Sequence, residues 1–494
     1  MTPATLPAQL RASAERFGER PAIVAGATRT TYSELDRAVD AFAARLLELG
    51  VRRGDRVAVA LPNGVEPAIA IYGAMRAGAA VTPLNPTARA GRLAQLVEHS
   101  GAIVAVCTAE SAEAALAGGA LHALTGEDLA AVPPRAPGPM PGVLEVDLAS
   151  IIYTSGSTGA PKGVAFLQRN MSFVAGSIVE YLGLHADDRI LCPLPLSHTY
   201  GLYQLVLAVR LGATLVLEAL TFPGRLVEAL ERERTTVLPG VPTTWQVLIS
   251  LHGLAERELP HLRLLTNAGA SLSVAQLAEV RRTFPAARMF SMYGQTECKR
   301  VCYLPPEELD ARPGSVGVAI PGTEVWLEDD TGAEPPPGEV GELIVRGDHV
   351  MQGYWKDPEA TARKLVAGRM PGDRALRTGD LFRRDEAGYL YFVARTDDMI
   401  VTRGEKVAPK EVEEVLHAVA GVHEAAVVGA PDELLGEAVI AHVAGNGAGI
   451  DPQALRRHCR EQLEDFKVPK RVVVHDTLPK TDNGKLDKAA LRAG

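Results

Sequence analysis

Basic blocks are missing from this sequence of 494 residues: 51 Lys and Arg stand against 60 Asp and Glu, a net charge of -9, with no concentrated positive stretch. That argues against nucleic acid as the main partner. Cysteine is scarce. Cys107, Cys192, Cys298, Cys302 and Cys459 form no zinc-spaced set and leave an odd one over, so reduced thiols are expected rather than a disulfide framework. Cys298 and Cys302 are spaced to share one helical face, but two soft ligands without a histidine beside them make a poor metal site. Long apolar runs are also lacking, because charge interrupts the stretches near Arg76 and Arg210 before they reach spanning length. The opening Met1-Thr2-Pro3-Ala4-Thr5-Leu6 has neither the charged start nor the apolar core of a secretory leader, so the expectation is a cytoplasmic enzyme or binder.

What is present is an α/β alternation in a chain long enough for about three domains by the length prior. Ser33 and Asp36 resemble a capping box, and Leu35, Val39, Phe42, Leu46 and Leu49 follow at helical spacing until Gly50. A strand over 56–61, a turn at Pro62-Asn63-Gly64, a helix to about Ala77 and a strand over 79–83 make a βαβ unit. A helix over 89–98 and a strand over 102–107 continue the pattern, which resumes beyond residue 189 and predicts largely parallel sheets. The Pro-rich stretch 133–142 is read as a surface connector. After about Arg312 short strands separated by Gly, Pro and Asp suggest a small barrel-like part, and the last hundred or so residues read as a separate small α+β domain.

The chain is organised around Tyr153-Thr154-Ser155-Gly156-Ser157-Thr158-Gly159-Ala160-Pro161-Lys162-Gly163, which follows the apolar Ala149-Ser150-Ile151-Ile152. Glycines let the backbone approach a ligand, N–H groups and hydroxyls can ring phosphate oxygens, and a lysine supplies the compensating charge. The spacing differs from the P-loop pattern. A Gly/Ser linker is the bland alternative, but a linker has no reason to join a buried strand to a lysine.

This cradle, together with Met292-Tyr293-Gly294-Gln295-Thr296-Glu297, Gly353-Tyr354-Trp355-Lys356-Asp357-Pro358, Thr378-Gly379-Asp380, Arg395-Thr396-Asp397-Asp398 and Pro479-Lys480-Thr481-Asp482-Asn483-Gly484-Lys485, resembles the adenylate-forming superfamily of acyl- and aryl-CoA synthetases, adenylation domains and luciferases. The matches come in the family's order along nearly the whole chain. The resemblance implies a large N-terminal adenylation domain (1–396) of stacked, mainly parallel sheets and a mobile C-terminal domain (397–494) hinged near Asp397. It also implies ATP, Mg²⁺ and the thiol of CoA, or of a carrier-protein phosphopantetheine, as cofactors.

Residue by residue, the resemblance makes Thr154, Ser155, Ser157, Thr158 and Lys162 phosphate contacts, and Glu297 the ligand of Mg²⁺, a hard cation suited to a carboxylate beside phosphate oxygens. Thr296 would touch the α-phosphate. Tyr293 would pack on adenine, with Gly269 and Ala270 of Asn267-Ala268-Gly269-Ala270 reading its edge, although a core tyrosine is the plainer reading of Tyr293. Asp380 is implied to take both ribose hydroxyls, with Arg395 as its partner. Lys485 would reach the carboxylate and α-phosphate, with Lys480 as its rival, and Gly404 would line the thiol tunnel. Two departures are Ala394, where glycine is usual, and Ala375, where an aromatic is common.

By the same resemblance the acid lies against 194–201, 241–244, 267–269 and 292–294. His198 stands where relatives that activate amino acids carry aspartate, which disfavours an α-amino acid; it lies either at the pocket mouth or in an ordinary buried position. Cys298-Lys299-Arg300 is an unusual basic step for which a solvated or structural role is the safer reading. The expected function is an AMP-forming acid–thiol ligase acting on an aryl or acyl acid, as a monomer or homodimer. Loading of a carrier protein, or transfer to an amine or other non-thiol nucleophile, are the alternatives, and a non-catalytic nucleotide sensor is disfavoured because Lys485 and Glu297 are both present.

Overall fold

The computed structural model describes residues 3–130, 140–154, 161–432, 434–445, 450–480 and 486–492. Two large sheets dominate. One has seven strands in the order Gly353–Tyr354, Lys162–Leu167, Leu148–Thr154, Ala80–Pro83, Arg56–Ala60, Ala102–Cys107 and His122–Leu124, parallel from Leu148–Thr154 onward. The other has nine, running from Val318–Ala319 and Cys302–Leu304 through Arg288–Tyr293, Leu264–Asn267, Val237–Gly240, Arg189–Cys192, Thr214–Leu217 and Pro21–Ala25 to Thr28–Thr31, with a parallel centre. Near-continuous apolar helices fill the space between. Helix Val65–Arg76 is buried along most of its length and touches strands of both sheets, and Thr199–Leu211 joins the same core through Leu202, Leu205 and Val206. The alternation read from the sequence therefore gives parallel sheets.

The first helix of that alternation begins two residues earlier than the sequence suggested. It spans Tyr32–Glu48, and its capping box is Thr31 with Glu34: the Glu34 amide donates to Thr31 Oγ1 at 3.2 Å and the Thr31 amide to Glu34 Oε2 at 2.8 Å. Asp36 is unavailable as a cap because Arg76 holds it in the interior at 2.7 Å, with Arg11 at 2.9 Å. A buried carboxylate gains more from a cation than an exposed helix end gains from a cap.

Beyond these sheets, Glu324–Glu328, Val340–Arg346 and Arg374–Arg384 form an antiparallel sheet. The long strand changes partner midway, pairing first with Leu365–Ala367 and then with Leu390–Arg395, so the small part after about Arg312 is an antiparallel sheet with no closing strand pair among the described residues. The C-terminal part has its own sheet, in the order Glu405–Val407, Ile400–Thr402, Gly436–Gly445 and Val422–Asp432, with Arg471–His475 beside Gly436–Gly445. Its core, around Val412, Val427, Val439, Ala441 and Leu455, is separate from the cluster shared by the two large sheets. Among the described residues no helix is long and apolar enough to cross a membrane.

Candidate active site

Parallel strands deliver their following loops to one edge, which is where ligands of α/β sheets bind. Here Leu264–Asn267 ends in the buried Asn267, whose side chain accepts from Trp245 Nε1 at 3.1 Å and donates to the Ala270 carbonyl at 2.9 Å. This bond pins the short turn that presents Gly269 and Ala270, both exposed, with Gly269 at φ +89°. The neighbouring strand Arg288–Tyr293 ends in Tyr293, and the chain then turns through Gly294 to Glu297.

Tyr293 packs against the main core and is also tied to the antiparallel sheet. Its hydroxyl donates to Asp380 Oδ2 at 2.5 Å, and its ring meets Phe382 edge-on at 4.9 Å. Asp380 is positioned by its own tripeptide: Thr378 Oγ1 donates to the Leu343 carbonyl at 2.7 Å and accepts from the Asp380 amide at 3.1 Å. Between them Gly379 takes φ +78°, where a Cβ would meet Lys364 Nζ at 2.7 Å. Burial raises the Asp380 carboxyl above the usual carboxylate range, against the pull of Tyr293 and Arg395. Arg395, exposed, is its cross-strand partner, with Nε 3.7 Å from Asp380 Oδ1. The two departures from the family pattern are packed positions: Ala375 lies buried with Trp326 and Ile344, and Ala394 is buried opposite Leu381.

The turn bearing Thr296 and Glu297, both half-buried, is fixed on two sides. Gln295 Nε2 reaches the Thr378 carbonyl at 3.4 Å, and Tyr354 Oη donates to Glu297 Oε1 at 2.7 Å. Sequence reasoning quoted Tyr354 inside a motif without giving it a role; a phenol four residues before the proline that opens helix Pro358–Lys364 carries no signal that it will face a carboxylate. Glycine at 294 is required because a Cβ there would lie 2.1 Å from the Lys299 carbonyl oxygen. Gly294→Ala is expected to destabilise the fold by about 1–3 kcal/mol through overpacking, read as a lower denaturation midpoint with an unchanged slope.

The cradle's two flanking strands, Leu148–Thr154 and Lys162–Leu167, pair antiparallel with Thr154 opposite Lys162. Among the described residues the next element is this second strand, whereas a P-loop leads into a helix. Lys162 is half-buried at the start of the second strand, while Ser155, Ser157 and Thr158, like Lys485, lie outside the described residues, as does the side chain of Thr154. His198 occupies the N-cap position of Thr199–Leu211, half-buried, with its carbonyl accepting from the Leu202 amide at 2.8 Å. Gly404 sits exposed at φ +81° in the turn between Ile400–Thr402 and Glu405–Val407, with open space where a Cβ would stand.

One expectation is corrected and one narrowed. Cys298 and Cys302 share no helix, since Cys298 is in the turn and Cys302 opens a strand; all five cysteines are free and buried, and no cluster of metal-ligating side chains occurs among the described residues. Of the two readings left open for Lys299 and Arg300, solvated or structural, the solvated one is excluded: each is only 7% exposed. Lys299 adopts φ +63°, which turns it inward, and burial pushes its amine well below the usual lysine range. A left-handed residue outside glycine has no sequence signature in a basic run.

Residues 10–355 match the family model described as AMP-binding enzyme, and 411–485 match the AMP-binding enzyme C-terminal domain. The chain belongs to the AMP-binding enzyme family. This AMP-binding chain is 37% identical over 474 residues to a feruloyl-CoA synthase from Amycolatopsis sp, covering 94% of each. The structure of ATP-bound MatB from Rhodopseudomonas palustris superposes with a TM-score of 0.91 at 31% identity, covering 99% of this chain and 98% of that one. O-succinylbenzoate CoA synthetase from Bacillus subtilis, in complex with its acyl-adenylate intermediate, gives a TM-score of 0.88 at 29% identity over 98% and 97%. The adenylate-forming resemblance and the mixed α/β architecture of a large and a small domain read from the sequence are thereby borne out.

Proposed function

We propose that this enzyme, an AMP-forming acid–CoA ligase, uses the Tyr293–Asp380 junction as its nucleotide seat and takes an aryl or acyl acid rather than an α-amino acid. The observation that carries the reading is the buried carboxylate of Asp380 on the antiparallel sheet, held against the hydroxyl of Tyr293, the residue that ends strand Arg288–Tyr293 four positions before Glu297. A paired acceptor of this kind suits two adjacent ribose hydroxyls, and Arg395 balances its charge. Thr296 lies next to Glu297 for the α-phosphate, and Gly269 and Ala270 offer backbone to the base. The cradle from Thr154 to Lys162 takes the β- and γ-phosphates.

Mg²⁺ fits the donor set. Glu297 is a hard oxygen ligand with one donor on it, and Mg²⁺ at a nucleotide is held by one or two carboxylates together with phosphate oxygens. When bound, it would offset negative charge on the triphosphate. The chemistry then runs in two halves: an acid oxygen bonds to the α-phosphorus as pyrophosphate leaves, and a thiolate then bonds to the acyl carbon as AMP leaves. Both halves need positive charge and donors held in place where negative charge moves.

Lys485 supplies that charge in the first half. Its rival Lys480 is held 2.6 Å from Glu424 within the C-terminal domain, which leaves it poorly placed to reach the acid. Asp397, exposed in the short turn Thr396–Asp398 between the last strand of one domain and the first of the other, is our hinge and the 396/397 junction our domain boundary. Gly404, exposed near it, keeps the thiol path clear after rotation. His198, at the start of a pocket-lining helix, stands at the mouth of the acid site. The buried free cysteines suit a reducing, cytoplasmic setting.

A panel of aryl and aliphatic acids scored by pyrophosphate release, with and without CoA, tests this reading. Acid-dependent release that becomes multiple-turnover on adding CoA is expected. Release indifferent to the acid would contradict it, and turnover restored only by an amine or a phosphopantetheinylated protein would reassign the acceptor.

A further inference from the structure

Lys299 and Arg300 are two adjacent basic side chains, both buried and, among the described residues, neither in an ion pair; Glu297 acts on Lys299 only from a distance, and the Tyr181 hydroxyl faces Arg300. Lys299 Nζ sits 3.6 Å from the centre of the Phe166 ring and 5.5 Å from that of Tyr203, and has no hydrogen-bond partner; the Tyr203 hydroxyl lacks one too. The Arg300 guanidinium lies 5.2 Å from the centre of the Tyr200 ring, and its Nε is also unpartnered. An aromatic face offsets only part of what an ion loses on leaving water, and a second cation next door adds repulsion.

Their position says what could complete them. Tyr200 and Tyr203 belong to the helix Thr199–Leu211 that begins at His198. The Tyr200 hydroxyl donates to the Thr266 carbonyl at 2.9 Å, one residue before Asn267, and Gly294 packs directly on the Lys299 backbone. The two side chains thus stand beside three of the four segments read above as the wall of the acid pocket. The reacting carboxylate belongs near Thr296 and the α-phosphate, so it does not account for both charges.

We propose that the acid this enzyme activates carries a second anionic group, a carboxylate in its simplest form, and that Lys299 and Arg300 bind it. A guanidinium accepts a carboxylate in bidentate fashion, and an ammonium adds a point charge. The inference rests on the acid-ligase reading for its chemistry, but not for its binding.

The test uses straight-chain acids of equal length that end in either a methyl or a carboxylate. The wild-type enzyme is expected to favour the diacid by about 30-fold or more in kcat/KM for pyrophosphate release, and Lys299→Met or Arg300→Met to bring that ratio to within about 3-fold. Preference for the methyl-ended acid, or equal losses on both acids in the variants, would overturn the proposal. Thermal shifts with the same acids and no ATP separate the two readings. A rise in melting temperature with diacid, present in wild type and absent from Lys299→Met, would uphold the anion site even if no acid released pyrophosphate, whereas no rise in wild type would count against it. Ligand-free Lys299→Met is expected to melt at or above the wild-type temperature, because the change removes a charge without a partner; a clear fall would make Lys299 a strut of the fold and refute the assignment.

Discussion

Lys485→Ala is expected to slow the pyrophosphate-releasing half-reaction by about 10²-fold or more, the loss typical when one donor to a developing charge is removed. The thioester-forming half, started from supplied acyl-adenylate and CoA, should stay within a few fold of wild type, because the lysine has no part once pyrophosphate has gone. Acid-dependent exchange of labelled pyrophosphate into ATP reads the first half, and rapid-quench thioester formation the second. Lys480→Ala is the internal control. Its amine is engaged by Glu424 at 2.6 Å and partly exposed, so its removal deletes a surface ion pair with little effect on either half. Wild-type exchange in Lys485→Ala, or a large loss in Lys480→Ala, would reverse the two assignments.

Asp380→Asn is expected to lower kcat/KM for ATP by about 100-fold, from the loss of charge-assisted bonds to two hydroxyls, with KM carrying most of the change. Its effect on the ligand-free fold runs the other way. The Asp380 carboxyl is raised by burial, so its ionised form is disfavoured in the folded state. The stability it contributes is full below its unfolded pKa and is lost as pH rises through the raised folded value. At neutral pH the asparagine, which needs no ionisation and still accepts from the Tyr293 hydroxyl, should therefore melt no lower than wild type. A variant that lost ATP affinity and also melted several degrees lower would show that Asp380 serves the fold before the nucleotide.

The alternation of helix and strand was legible because apolar period and turn residues are local properties. Strand Ala102–Cys107 stands where the pattern put it, and strand Arg56–Ala60 ends one residue short of its expected bound. The early start of helix Tyr32–Glu48 was not, since the choice between Thr31 and Ser33 as cap depends on Arg76, forty residues away, drawing Asp36 inside. The same limit applies at the site. Residues in ordered motifs could be carried over one by one, and Tyr293, Asp380 and Arg395 do converge. Contacts that cross between sheets, such as Tyr354 to Glu297, have no trace in either motif alone. For Lys299 and Arg300 the sequence left a solvated and a structural role open, because a basic pair in a loop is ordinarily solvated; both are buried, with Lys299 in the left-handed region.

Acid labelled with ¹⁸O in both carboxylate oxygens, turned over with ATP and CoA and followed by mass spectrometry of the products, tests the central claim most directly. If an acid oxygen bonds to the α-phosphorus and the acyl carbon later passes to sulfur, each AMP formed carries one ¹⁸O and pyrophosphate carries none. Label in inorganic phosphate or pyrophosphate, or AMP without label, would contradict the account.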